Sequence, residues 1–404
     1  MTIYRFPIRN ETDLWDAISR AEADWRSFPY FNRKREVLSF LLPDIDFRAA
    51  NTLKQELLSR GGDAIVHRNA IDGSVPLSNV IIMGTLKTLM DLSEKLLAMP
   101  YWGLDRVREE IEGALAALEI RKWELSLPGR GSLSLGGRTK IMGVINVNDD
   151  SFYGGSRAAD TGSCAALAAK MIEEGADIID IGSESTRPGS SPLSPEEEAD
   201  RLIPAVRAVR RELPGAIISA DTFRAGTAMA AIEAGADIIN DISGGLFDEN
   251  MFTLVARTGN PIIIMHANDV PGGMHDPFVY RDIIGQIVSF FARRIETAER
   301  SGIDPGQIIL DPGIGFSKDM QQNLRVLDRI ESFSTLARPI LVGHSRKSTI
   351  GKVLGLDDPA QRLEGTLAVS AFCALKGVPV IRVHDVTQNF RAVRMIEALK
   401  GEKL

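Results

Sequence analysis

Cysteine is scarce in this sequence: Cys164 and Cys373 are the two in 404 residues, far apart and with neither CxxC nor zinc-type spacing around them. That excludes a disulfide framework and a zinc ribbon, and both read as small apolar core residues. Long apolar runs are also missing. No stretch approaches the roughly 18 residues of a membrane span, and the first ten residues lack the hydrophobic region of a signal peptide. The expectation is a cytoplasmic chain with no membrane partner. Positive charge is in deficit, with 47 Lys and Arg against 54 Asp and Glu for a net charge of −7. No overall field exists to displace counterions from a nucleic acid, so none is expected as a partner. What is present is an ordinary globular composition, 44% hydrophobic and 25% charged. At roughly 150 residues per domain the length allows two or three domains, or one large barrel with an addition.

The segment Leu127 to Gly137 is rich in Gly, Ser and Pro and carries no helical or strand period, which predicts a linker over 127–138. Before it, residues 1–126 predict a small α/β domain. Helical spacing runs through Thr12–Trp25, Ala49–Arg60, Leu86–Leu97 and Leu104–Ile120, and strand-like runs cover Glu36–Leu42 and Val80–Met83. Its Arg33-Lys34-Arg35 cluster is read as a solvated turn rather than an anion grip, and His67 as an ordinary histidine. After the linker, eight short β-branched runs alternate with helical stretches: Lys140–Val147, Asp177–Gly182, Ala216–Asp221, Asp237–Ile242, Pro261–His266, Ile308–Asp311, Pro339–Gly343 and Val378–His384. Eight is the count that closes a (β/α)8 TIM barrel, here over 139–404. An internal echo agrees, since Glu-Gly-Ala-Asp-Ile-Ile-Asp at 174–180 returns as Glu-Ala-Gly-Ala-Asp-Ile-Ile-Asn at 233–240. An open doubly wound sheet is the alternative, but the first run lacks the GxGxxG turn that such a sheet usually shows.

In a barrel, chemistry gathers where strands end. The polar residues at those ends are Asn146, then Glu184, Thr186 and Arg187, then Asp221, Asn240 and Asp241. His266, Asp311, Ser345 to Ser348, Arg382 and His384 complete the set. Arg187, Lys347, Arg382 and His384 are cationic or ionisable, and with Asn146 and Thr186 they suit a multiply charged anion such as a diphosphate. Asn146 also offers a hard oxygen, which suits Mg2+ better than zinc when phosphate oxygens complete the shell. Asp221, Asn240 and Asp311 are acceptors whose natural partner is a flat heterocycle presenting several N–H donors. Singly, each has a plainer reading: Asp221 as the cap of the next helix, His266 as a structural histidine, Pro312, Gly313 and Gly315 as turn formers, Arg346 and Lys347 as a solvated pair. Their convergence at one mouth is what favours a site.

At this point the phrases resemble a known family. Ile141-Met142-Gly143-Val144-Ile145-Asn146-Val147 with Asp150-Ser151-Phe152, Glu184-Ser185-Thr186-Arg187-Pro188-Gly189, Ser219-Ala220-Asp221-Thr222 and Asn240-Asp241-Ile242-Ser243-Gly244-Gly245 are similar to those of the dihydropteroate synthases. So are Met265-His266, Leu310-Asp311-Pro312-Gly313-Ile314-Gly315-Phe316, Gly343 to Ser348 and Arg382-Val383-His384-Asp385, all in the same order from about Thr139 onward. The resemblance implies condensation of 6-hydroxymethyl-7,8-dihydropterin diphosphate with 4-aminobenzoate, giving 7,8-dihydropteroate and diphosphate. It assigns the pterin ring to Asp221, Asn240, Asp311 and Lys347, with Met265 and Gly343 lining the pocket. The diphosphate and Mg2+ fall to Asn146, Thr186, Arg187, Arg382 and His384, with Asn146 as metal ligand. Phe152, Pro188, Phe316 and Ser348 shape the 4-aminobenzoate subsite. A homodimer through helices of the outer wall is implied as well.

The first loop departs from the family phrase. Asn148-Asp149 stand where Thr-Pro is usual, and Gly154 where the family has an Asp that helps to stabilise a cation. Asp149 or Asp150 is the carboxylate at hand to replace it, so Asp150 joins Lys347, Arg382 and His384 as catalytic candidates. Two other functions are weighed. A methyltransferase using methyltetrahydrofolate and a corrinoid protein would share the ring pocket but has no use for a diphosphate grip. A pterin-binding module without turnover would follow if the altered first loop fails.

Overall fold

The computed structural model describes residues 2–147, 161–183, 193–267 and 278–401. The chain forms two compact units, Met1–Glu119 and Ile120–Leu404. In the first, strands β1 (Val37–Asp46), β2 (Asp63–Ile65) and β3 (Leu77–Thr85) make an antiparallel sheet in the order β1-β3-β2. Apolar residues alternate along β3, so Val80 and Ile82 turn to one face, where helices Phe47–Leu58 and Leu86–Leu96 bury Leu53, Leu57, Leu89 and Leu92. Both helices start where the sequence supplies a cap. The Asp46 carboxylate accepts from the Arg48 amide and the Thr85 hydroxyl from the Thr88 amide. The Arg33-Lys34-Arg35 segment is surface, with Lys34 donating to the Tyr30 hydroxyl and Arg35 to the Arg9 carbonyl.

The expected linker is instead a β-hairpin, and the unit boundary lies before it. Strands β4 (Trp123–Leu127) and β5 (Gly131–Leu135) pair antiparallel. The glycines that suggested a linker serve a tight turn: Gly129 and Gly131 take φ of 72° and 102°, and the Arg130 amide donates to the Leu127 carbonyl. Leu125, Leu127, Leu133 and Leu135 point one way and are buried. They close the bottom of the barrel that follows.

That barrel has eight parallel strands: β6 (Lys140–Asn146), β7 (Ile178–Gly182), β8 (Ile218–Asp221), β9 (Ile238–Asp241), β10 (Ile262–Met265), β11 (Ile308–Asp311), β12 (Leu341–Val342) and β13 (Val380–Val383). Each falls inside one of the eight runs expected from sequence. The sheet order is β11-β10-β9-β8-β7-β6-β13-β12, and a parallel bridge between Leu310 and Ile340 joins its two ends. The barrel is therefore closed. Met142, Ile178, Ile238, Ile263, Ile309, Leu341 and Val380 supply one inward side chain from seven strands to a bottom layer packed on the hairpin leucines. Gln307 stitches the two, donating to the carbonyls of Ser126 and Gly259 while accepting from the Ser126 amide, all at 2.8 Å.

The sequence echo has a structural meaning at its first aspartate. Asp177 accepts from the Ile141 amide and pairs with Arg138 and Lys140, whereas Asp237 accepts from the Ile218 amide and pairs with Arg130 and Arg210. In both copies a carboxylate at the start of a strand ties it to its neighbour. The outer helices bury one face each, Val206, Val209 and Leu202 in Pro195–Glu212 for example, so that every strand is covered on both sides. Cys164 and Cys373 are buried in this layer as expected.

Candidate active site

Strand register delivers the polar residues to one rim. Asp221 ends β8, Asn240 and Asp241 end β9, Met265 ends β10, Asp311 ends β11, and Arg382 lies on β13 one residue from its end. Because β-strand side chains alternate, Asp221 and Asn240, paired in register, face the same side. Asp221 does not cap the following helix. That duty falls to Asp248, whose carboxylate accepts from the Ala225 amide. Asp221 instead accepts from the Arg382 guanidinium at 2.9 Å.

The same guanidinium donates to Asp180 Oδ2 at 2.6 Å, and Asn240 Nδ2 donates to that oxygen at 3.2 Å. Sequence reading missed Asp180. It is fully buried on β7, inside a run read only as a strand, and it is the residue that aligns with Asn240 in the repeated peptide. The lone acid of Ile-Ile-Asp-Ile-Gly was the available signal. Its Oδ1 is buried without a hydrogen-bond partner among the described residues. An orphaned carboxylate oxygen beside an amide and a second carboxylate is an acceptor set waiting for N–H donors.

Asp311 is fixed by the Gly313 amide at 2.8 Å, and burial pushes its carboxyl above the ordinary range against the pull of Lys347 and Arg382. Gly343 lies between these groups, for a Cβ there would stand 3.7 Å from Asp311 Oδ2 and 3.9 Å from Arg382 Cβ. Lys347 sits with its ammonium 4.0 Å from the centre of the Phe316 ring. Burial and the neighbouring Arg382 charge lower it to about 8, partly offset by Asp311 and Asp221. Met265 and Phe316 pack with Phe223 and Ile242 as an apolar wall. Acceptors, a cation and a flat apolar surface thus share one mouth.

Other candidates behave differently. His384 is expected from sequence to be ionisable toward an anion, but burial and the Arg382 charge push it down to about 3, so its imidazole is neutral. Its ring Nδ1 lies 2.9 Å from Ser345 Oγ, which also accepts the His384 amide. Arg346 is no solvated neighbour of Lys347: it forms a bidentate pair with Asp385 at 2.8 Å and donates to the carbonyls of Pro359 and Ala360. It turns away from the mouth as a staple between helices. Ser348 is exposed and opens the helix Ser348–Leu354, with Lys347 as its first flanking residue. Asn146 is half-buried at the end of β6. Asp150, Phe152, Glu184, Thr186, Arg187 and Pro188 lie outside the described residues. Among the described residues no cluster of three His, Cys, Asp or Glu could hold a metal ion.

A model of pterin-binding enzymes matches residues 142–384, the span from β6 to the end of the site. Over 271 residues the chain is 41% identical to the dihydropteroate synthase of Synechocystis, which covers 67% of this chain and 93% of that protein. The chain belongs to the dihydropteroate synthase family of pterin-binding enzymes. Its barrel superposes on the Xanthomonas albilineans dihydropteroate synthase with 4-aminobenzoic acid at a TM-score of 0.63 and 35% identity, covering 69% of this chain and 98% of that one. A probable bifunctional folylpolyglutamate synthase/dihydropteroate synthase of Halobacterium salinarum is 36% identical over 393 residues, 96% of this chain and 46% of that protein. The dihydropteroate synthase family likeness therefore centres on the barrel, while the haloarchaeal match also takes in most of the amino-terminal unit.

Proposed function

We propose that the barrel condenses 6-hydroxymethyl-7,8-dihydropterin diphosphate with 4-aminobenzoate to 7,8-dihydropteroate and diphosphate. One observation carries the reading: Asp180, Asp221, Asn240 and Asp311 converge as acceptors beside Lys347 and Arg382, matching the N–H edge of an aminopyrimidinone with an anion alongside. The acceptors orient the ring by its N–H groups. Lys347 lies against the Phe316 face and donates to a ring acceptor, while Arg382, already at the rim, is placed to trade a carboxylate for a diphosphate oxygen. The pterin methylene C–O bond breaks with its electron pair going to diphosphate. The resulting cation is delocalised into the electron-rich ring, and the arylamine nitrogen forms the new C–N bond and loses a proton. No side chain is used as a nucleophile.

The donor set bears on the metal. With Asn146 as a hard-oxygen ligand at the end of β6, the site suits Mg2+ carried in on the diphosphate oxygens. When bound it would neutralise charge on the leaving group. A cytoplasmic homodimer belongs to the same reading. Val353, Leu354, Leu375, Met395 and Leu399 are exposed on the wall built by the last three helices, and no helix among the described residues is long and apolar enough to cross a membrane. The deciding experiment is product formation by the full-length protein with both substrates, with and without Mg2+. Metal-dependent dihydropteroate supports the synthase. Pterin diphosphate that binds without diphosphate release would replace it by a binding module.

A further inference from the structure

Resting on the synthase reading, we propose that Lys318 is a positioning residue of the ring pocket, an ammonium beneath the mouth that clamps His266, at the end of β10, to the turn after β11. Lys318 is almost fully buried, yet among the described residues its Nζ meets no carboxylate. It donates to the carbonyls of Gly313 and Phe316 at 3.0 Å each, and lies 3.0 Å from His266 Nδ1 and 3.4 Å from the His266 carbonyl. A compact cation with three rotatable donors suits such a cage of acceptors, whereas the planar fork of Arg does not. Arg294 and Arg362 also hold backbone carbonyls, of Gly244 and Gly245 and of Leu356 and Arg346, but other cations of the barrel are arranged otherwise. Arg130 and Arg210 at the bottom, and Arg346 between helices, are all paired with aspartates.

The two segments that Lys318 joins, Met265-His266 and the turn after β11, border the pocket. Their backbones touch: Gly313 has φ of 67°, and a Cβ there would stand 2.1 Å from the His266 carbonyl oxygen. Ser317 adopts a left-handed φ of 48°, a conformation disfavoured for a residue with a Cβ, and this turns the Lys318 side chain back beneath its own loop. The turn so held presents Phe316 to Met265 and carries the ring against which the Lys347 ammonium rests, while a Cβ at Gly315 would come within 3.0 Å of Lys347 Cδ. Burial and the Lys347 charge lower Lys318 to about 7, with Asp311 opposing, and His266 is pushed down to about 2 and stays neutral. Its Nδ1 accepts from the ammonium or donates to the free amine according to tautomer, so the grip on both carbonyls survives loss of the lysine proton.

The test compares Lys318→Met, which keeps length and removes the donors, with Arg210→Met, which removes a half-buried cation at the opposite end of the barrel. Both are assayed as full-length folded protein beside wild type. For Lys318→Met the KM for pterin diphosphate rises about tenfold or more while kcat stays within about threefold, because ring binding is lost in ground and transition states alike. Arg210→Met lowers Tm and leaves that KM unchanged. Lys318→Gln, which retains two donors, recovers part of the loss. An unchanged KM in folded Lys318→Met, or an equal KM rise in Arg210→Met, overturns the proposal. A chain that folds with neither Met nor Gln at 318 would make the lysine a requirement of the fold and overturns it too. Absence of product from wild type would instead strike the synthase reading, a separate result.

Discussion

Arg382→Met keeps most of the side-chain stem and deletes the guanidinium that donates to Asp180 at 2.6 Å and Asp221 at 2.9 Å. Asp180 is then left fully buried, with one oxygen already unpartnered among the described residues and the other held by Asn240 alone at 3.2 Å. Removing one partner of a buried ion pair costs about 3–5 kcal/mol. Arg382 keeps 20% of its side-chain surface exposed, so solvent can reach the gap, and the lower figure of about 3 kcal/mol is expected. At roughly 2–4 °C per kcal/mol for units of this order of size, the barrel transition drops by about 6–12 °C in calorimetry. Adding Asp180→Asn removes the stranded charge and restores at least half of the drop, since an amide pair tolerates burial where a lone carboxylate does not. A fall under about 2 °C, or a double variant no more stable than the single one, would refute the view that this guanidinium compensates Asp180.

Further outcomes follow from the same geometry. Lys347→Ala is expected to lose affinity for pterin with or without its diphosphate, while Arg382→Ala chiefly loses the gain that the diphosphate brings; equal losses with a diphosphate-free pterin in calorimetric titration contradict that division. The Lys347 ammonium, held at about 8, is charged below that pH and neutral above it, so kcat/KM for the pterin substrate falls as pH rises through about 8. A profile flat to pH 9.5 removes Lys347 from ring binding. A chain beginning at Ile120 keeps the hairpin and its synthase activity, whereas one beginning at Leu133 loses Leu125 and Leu127 from the barrel floor. With buried leucines worth about 2–5 kcal/mol each, the shorter chain melts far lower or does not fold, and equal Tm values would dismiss the floor as a structural element.

The eight strands were legible because parallel strands buried on both faces leave unbroken β-branched runs, and the rim acceptors because strand ends are where such runs turn polar. What escaped had its cause in packing between distant segments. The hairpin at 123–135 hid behind Gly and Ser that serve its turn, and the bottom layer that seven barrel strands pack onto its leucines shows why its alternate residues are apolar. Lys318 stood next to residues that have turn chemistry enough of their own, and its acceptors come from a loop some fifty positions earlier as well as from its own. Arg346 and Lys347 are neighbours in sequence and opposites in space, because a left-handed backbone at Arg346 (φ 56°) sends one to Asp385 and the other to the mouth.

The repeated peptide shows how far a pattern in sequence can carry meaning when both of its ends are followed. Its first aspartate, Asp177 or Asp237, ties strand starts together at the bottom, where Arg138 and Lys140 or Arg130 and Arg210 satisfy it. Its last residue, Asp180 or Asn240, stands four residues' span away at the top, and there the two copies meet each other across one hydrogen bond with an acceptor to spare. Substitution at the two ends therefore separates stability from binding. Asp237→Asn leaves Arg130 and Arg210 without their carboxylate and lowers Tm while the ring affinity of the folded protein holds. Asn240→Ala removes a donor from Asp180 and a contact from the pterin edge, so its loss is expected mainly in pterin affinity. If both variants lost stability alone, the upper ends of these strands would be structure and not site.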